Sequence, residues 1–169
     1  MSETYDDEQQ AFDCTVNGTP TRLVGDPAAP ASIALRARGL FSVRETCGLG
    51  VCGTCTVLLD DEPVSTCITP LFALEGRSVR TAEGLEDGGR LSELQQQFVE
   101  SQAFQCSFCT PGFLLSGTAL LSRTEGELDD DAIEEGLQGH LCRCGCYDSI
   151  KHAVRTCAAR RLQDTGRIR

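Results

Sequence analysis

Apolar positions along the chain recur at strand spacing up to about residue 85 and at helix spacing from about residue 91. Phe12, Cys14 and Val16 alternate with polar neighbours and run into Asn17-Gly18, a dipeptide suited to a tight hairpin turn, so Thr21 to Val24 is predicted to return as the second strand. Ala31 to Arg38 predicts a short helix. Thr56 to Leu59 reads as a buried strand, Asp60-Asp61 as its turn, and Pro63 to Thr66 as another strand.

The period changes after the turn-like Glu86-Asp87-Gly88-Gly89, where Leu91, Leu94, Phe98 and Val99 are expected to share a helix face. Helices are predicted over 91–102, 111–123, 129–137 and 147–161. Thr110 is the expected N-cap of the second, Pro111 its first residue, and Asp129 to Asp131 supply caps for the third. On the fourth, Ile150, Val154, Cys157 and Ala158 fall on one face. The expected plan is an acidic N-terminus at 1–10, a mixed α/β unit at 11–88, a helical bundle at 89–162 and a basic tail at 163–169.

Composition narrows the function. In 169 residues, 40% are hydrophobic, as in a globular protein, and no apolar run approaches the length of a membrane helix. Twenty-five acidic residues against 15 basic ones leave a net charge of -10, which argues against nucleic acid and favours a basic partner surface. The charge is uneven: Glu3, Asp6, Asp7 and Glu8 open the chain, whereas Lys151, Arg155, Arg160, Arg161, Arg167 and Arg169 close it. Both ends read as solvated tails. The acidic, polar start lacks the character of a targeting peptide, so the expected compartment is the cytoplasm, where thiols stay reduced.

Eleven cysteines are the outlier, and an odd number in that compartment points to metal rather than disulfides. Cys47, Cys52 and Cys55 stand at C-x4-C-x2-C spacing within Thr46-Cys47-Gly48-Leu49-Gly50-Val51-Cys52-Gly53-Thr54-Cys55-Thr56, and Cys67 follows. That is the ligand spacing of plant-type [2Fe-2S] proteins. Gly48, Gly50 and Gly53 permit the turns that aim amides at sulfur. A second group joins Cys106 and Cys109 to Cys142, Cys144 and Cys146. Taken alone, that arrangement fits either iron–sulfide or a structural zinc ion. The helix expected after Cys109 would place an anionic centre at its positive end. Cys14 and Cys157 read as small buried apolar groups, and His140 and His152 as structural or exposed.

The cysteine loops, together with Pro63-Val64-Ser65-Thr66-Cys67, Gln105-Cys106-Ser107-Phe108-Cys109-Thr110-Pro111-Gly112 and Leu141-Cys142-Arg143-Cys144 before Tyr147, resemble the small iron–sulfur subunit of molybdenum hydroxylases, the family of xanthine dehydrogenase, aldehyde oxidase and aerobic carbon monoxide dehydrogenase. The resemblance implies an α+β chain: a β-grasp, plant-ferredoxin-like N-terminal domain, then a four-helix [2Fe-2S]-binding domain. It implies two [2Fe-2S] clusters, one on Cys47, Cys52, Cys55 and Cys67 and one on Cys106, Cys109, Cys142 and Cys144, with Gln105 and Cys144 near a molybdopterin. That cofactor would belong to a large partner subunit and FAD to a medium one. The chain would relay single electrons between them, without a substrate site of its own; a dimer of heterotrimers is compatible with this.

Two positions depart from the family pattern. Ser107 stands where glycine is usual, and Gly145-Cys146 replaces Thr-Gly, so Cys146 competes with Cys144 for the fourth ligand position. A stand-alone two-cluster ferredoxin or iron–sulfur sensor, and a zinc-stabilised interaction module, are the alternative readings. The substrate and final acceptor are not legible in these residues.

Overall fold

A computed structural model describes residues 9–86, 88–124 and 126–166. The acidic positions Glu3, Asp6, Asp7 and Glu8, and Arg167 and Arg169, lie outside the described residues. The fold is α+β: among the described residues, a five-stranded mixed sheet and five α-helices.

Strands β1 (Gln10–Val16) and β2 (Thr19–Gly25) form the expected hairpin, with Asn17 at φ 49 and Gly18 at φ 77. The Asn17 side chain also accepts from the Thr81 amide at 2.8 Å and donates to its hydroxyl at 3.0 Å, fastening the turn to a segment 64 residues further along the chain. Helix α1 (Ala31–Ala37) follows. Strands β3 (Thr56–Leu59) and β4 (Glu62–Ser65) make a second hairpin around Asp60 and Asp61, both at positive φ; β4 starts one residue before the predicted Pro63. A three-residue strand β5 (Ser78–Arg80) pairs parallel with β1 and antiparallel with β3, giving the order β2-β1-β5-β3-β4.

Strand β3 is buried along its whole length, which explains its unbroken apolar run. Val57 and Leu59 enter the core between sheet and α1, with Leu23, Leu35, Leu74 and Val79. Leu58 points the other way, into a core formed by the later helices α2 (Glu93–Glu100), α3 (Thr110–Arg123), α4 (Asp130–Gly136) and α5 (Tyr147–Gly166). Phe98, Phe113, Leu115, Ile133, Ile150 and Val154 fill that second core. One four-residue strand therefore serves two apolar layers.

The helices correct several expectations. Only Leu94 and Phe98 of the α2 pattern are buried, whereas Leu91 and Val99 are half exposed. Gln97 takes the inward position instead, donating to Ser101 Oγ at 2.9 Å. Ser92 and Gln95 close a capping box, so α2 starts two residues later than predicted. Thr110 is not the N-cap of α3 but its first residue; Cys109 occupies the cap. Asp129 caps α4 by accepting from the Ala132 amide at 2.8 Å. Ile150, Val154, Cys157 and Ala158 are buried on α5, and Cys14 is buried on β1, as expected.

The basic cluster near the C-terminus is not a free tail where it is described. Lys151 pairs with Glu134 at 2.6 Å, Arg155 with Asp130, Arg160 with Glu100 at 3.4 Å and Arg161 with Glu93 at 3.3 Å. Being exposed, such pairs contribute little stability, roughly 0–1 kcal/mol each, but they set how α5 lies against α2 and α4. Among the described residues no helix is long and apolar enough to cross a membrane.

Candidate metal centres

The first cysteine loop links α1 to β3. Gly48, Gly50 and Gly53 all adopt positive φ, at 66, 72 and 69°, so the backbone reverses repeatedly within six residues. Thr54 closes the loop: its amide carbonyl accepts from Arg44 N at 3.1 Å and its hydroxyl donates to Arg44 O at 2.7 Å. The same hydroxyl lies 3.3 Å from Cys52 Sγ.

The amides of Leu49, Val51 and Cys52 point at the Cys47 sulfur, that of Leu49 at 3.4 Å, and they pull this thiol down to about 6. Cys67 sits opposite, where burial and a hydrogen bond shared with Cys55 push its thiol up to about 11, although the Gly50 amide works against this. Cys47, Cys52, Cys55 and Cys67 are thus brought together, in contacts between Cys47 and Cys52 and between Cys55 and Cys67.

The second site lies where the turn before α3 meets the loop before α5. Cys106 Sγ is 3.4 Å from Cys144 Sγ, and Cys109 shares a hydrogen bond with Cys142. Burial raises the Cys109 thiol to about 12. Cys146 is also present, but it contacts Cys142 on its own loop, its amide lying 3.4 Å from Cys142 Sγ. The Tyr147 hydroxyl accepts from Cys142 N at 2.9 Å. Gln105 and Cys106 are exposed and Cys144 half-buried, so this site opens to solvent through the Gln105 side.

All eleven cysteines are free thiols. Among the described residues no three His, Cys, Asp or Glu side chains are arranged to close on a single metal ion as they stand. The sulfurs converge instead in twos, with amides already aimed at them. This donor set fits the thiolate-bound, anionic [2Fe-2S] group, whose two irons each take a pair of cysteines.

The two sites touch. Leu141 N, next to Cys142, donates to Cys52 O at 3.0 Å. Beside this bond His140 lies tilted against Phe113, their centroids 5.1 Å apart, and fills the junction. Its Nε2 lies 3.3 Å from Thr56 Oγ1 and 3.2 Å from Ser116 Oγ, and its Nδ1 is 3.2 Å from Gln138 O. A proton on Nδ1, donated to that carbonyl, leaves Nε2 to accept from the Ser116 hydroxyl, since Thr56 gives its own proton to Gly53 O at 2.8 Å. Burial lowers the pKa of His140, keeping it neutral. His140 is therefore structural, as the sequence implied, while His152 is exposed. Sequence reasoning passes over Arg44, which reaches the second loop by donating to Ser107 O and stacking on Phe108 at 5.0 Å.

Comparison with known proteins matches residues 14–92 to a 2Fe-2S iron–sulfur cluster binding domain and 81–155 to a [2Fe-2S] binding domain. The xanthine dehydrogenase iron–sulfur-binding subunit of Escherichia coli O157:H7 is 42% identical over 151 residues, 89% of this chain and 95% of that protein. The nicotinate dehydrogenase small FeS subunit of Eubacterium barkeri is 39% identical over 141 residues, covering 83% of this chain and 89% of that one. The chain belongs to the small iron–sulfur subunits of the molybdenum hydroxylases. Quinoline 2-oxidoreductase from Pseudomonas putida 86 carries a chain with the same fold, at TM-score 0.85 and 36% identity over 89% of this chain and 93% of that one. The first half is therefore a ferredoxin-like [2Fe-2S] domain and the second another [2Fe-2S] domain. The iron–sulfur subunit serves electron transfer within an oxidoreductase complex.

Ser107 sits at φ 59, a conformation natural to glycine. Relief of left-handed strain, about 1–2 kcal/mol, outweighs the added chain entropy of glycine, about 0.5–1 kcal/mol. Ser107→Gly is expected to raise stability by about 0.5–1 kcal/mol, read as a higher urea midpoint. A midpoint at or below that of the parent would contradict the strain.

Proposed function

We propose that Cys47, Cys52, Cys55 and Cys67 hold one [2Fe-2S] cluster, and Cys106, Cys109, Cys142 and Cys144 a second. The chain then relays single electrons from the molybdopterin centre of a large partner subunit to a flavin subunit. The carrying observation is the 3.0 Å hydrogen bond from Leu141 N to Cys52 O, which joins the two ligand loops directly. When bound, each cluster takes up and returns one electron at a time.

The protein's own part is to hold two such groups close and to temper their charge. The amides at Cys47 and Cys142 offset negative charge on sulfur and favour the added electron. Cys144 is preferred to Cys146 because it faces Cys106 across the site, while Cys146 touches its own loop. The four helices α2 to α5 would form the unit that holds the second cluster, with a β-grasp unit over 11–88 and the helical unit over 89–162. Exposed Gln105 offers both a donor and an acceptor to a pterin edge. A cytoplasmic location accords with eleven unpaired thiols.

Affinity purification of the tagged chain from its native source tests the assembly. One large polypeptide carrying molybdenum and one carrying flavin should accompany it in stoichiometric amounts. A monomer that retains both clusters and binds neither would favour a stand-alone ferredoxin. The relatives named are parts of a xanthine dehydrogenase, a nicotinate dehydrogenase and a quinoline 2-oxidoreductase, and substrate choice would rest with the large subunit.

A further inference from the structure

The peptide group between Ser107 and Phe108 faces two ways. Its N–H points at the sulfur of Cys106, and its carbonyl accepts from Arg44 Nη1. A trans peptide holds these two dipole ends on opposite sides, and the positive φ of Ser107 turns the unit into this orientation. Arg44 belongs to the other ligand loop, three residues before Cys47.

Its placement is fixed at both ends. The backbone is tied to Thr54 through N at 3.1 Å and O at 2.7 Å, and the guanidinium stacks on Phe108 with Cζ 5.0 Å from the ring centroid. Among the described residues no carboxylate is ion-paired with Arg44; neighbouring Glu45 accepts from Ser32 Oγ at 3.1 Å. The cation therefore acts on the Ser107 carbonyl without a competing counter-ion.

We infer that Arg44 is a positioning residue through which the first ligand loop sets the reduction potential of the second cluster, by polarising the 107–108 peptide whose N–H contacts Cys106. A cation on the carbonyl strengthens the N–H as a donor along the same peptide. The stronger bond to sulfur favours the more negative, reduced state and raises the potential. This rests on the ligand assignment above, in which Cys106 is a ligand.

The test is an EPR-monitored redox titration of the cluster-loaded protein, the second signal being the one lost in Cys144→Ser. Arg44→Met should move the second midpoint to a more negative value and leave the first in place. Arg44→Lys keeps the charge but loses the flat stacked donor, and should move the second midpoint the same way by less. The inference is overturned if the second midpoint stays at the parent value in both variants. It is equally overturned if both midpoints move together in Arg44→Met, since that is the mark of a bare charge effect. Should Arg44→Met fail to fold, Arg44→Lys alone decides by the same criterion. Absence of two signals in the parent protein would instead refute the ligand assignment.

Discussion

Cys144→Ser is expected to remove one of two EPR signals from the reduced protein and about half of its iron, while Cys146→Ser keeps both signals. Cys144 and Cys106 face each other at 3.4 Å from separate loops, so losing either sulfur opens the site. Cys146 offers its amide to Cys142 Sγ at 3.4 Å, and a serine retains that amide. The alternative assignment predicts the reverse pattern. Full iron in Cys144→Ser together with a lost signal in Cys146→Ser would transfer the ligand role to Cys146.

A second large effect is expected at the junction. A Cβ on Gly112 would lie 2.3 Å from Gly53 O and 2.8 Å from His140 Cδ2, and one on Gly53 would meet Gly139 O at 2.4 Å. Each meets backbone or a packed ring rather than a flexible side-chain tip. Gly112→Ala should therefore spread the two loops, weaken the Leu141 to Cys52 bond, and cost about 2–4 kcal/mol. A Cβ on Gly126 meets nothing within 4 Å, so Gly126→Ala should stay within about 0.5 kcal/mol of the parent. Urea midpoints of the cluster-loaded proteins compare them. Equal midpoints would show that the two loops are not tightly apposed.

Which features the sequence reveals follows from how local they are. The C-x4-C-x2-C loop is legible because three thiols and three turn-forming glycines lie within nine residues of each other, and the hairpins because Asn17-Gly18 and Asp60-Asp61 specify their own turns. The second site is less so. Its halves are more than thirty residues apart, and only their meeting shows that Cys144, not Cys146, faces Cys106.

Arg44, and the place of the structural His140 at the junction, escape for the same reason: the partners that give them meaning are 63 and 84 residues away. Strand β5 is too short for a period to register. The α2 pattern misleads because a buried glutamine, Gln97, takes a place that hydrophobicity assigns to Leu91 or Val99. Ser92-Glu93-Leu94-Gln95 was the available signal, since a capping box sets where that helix begins.

Metal and sulfide analysis of the anaerobically purified chain, with EPR after dithionite reduction, tests the two-cluster account most directly. It predicts about four irons and four acid-labile sulfides per chain, and two distinguishable signals. Stoichiometric zinc in a colourless protein, or a single signal from fully loaded material, would contradict it.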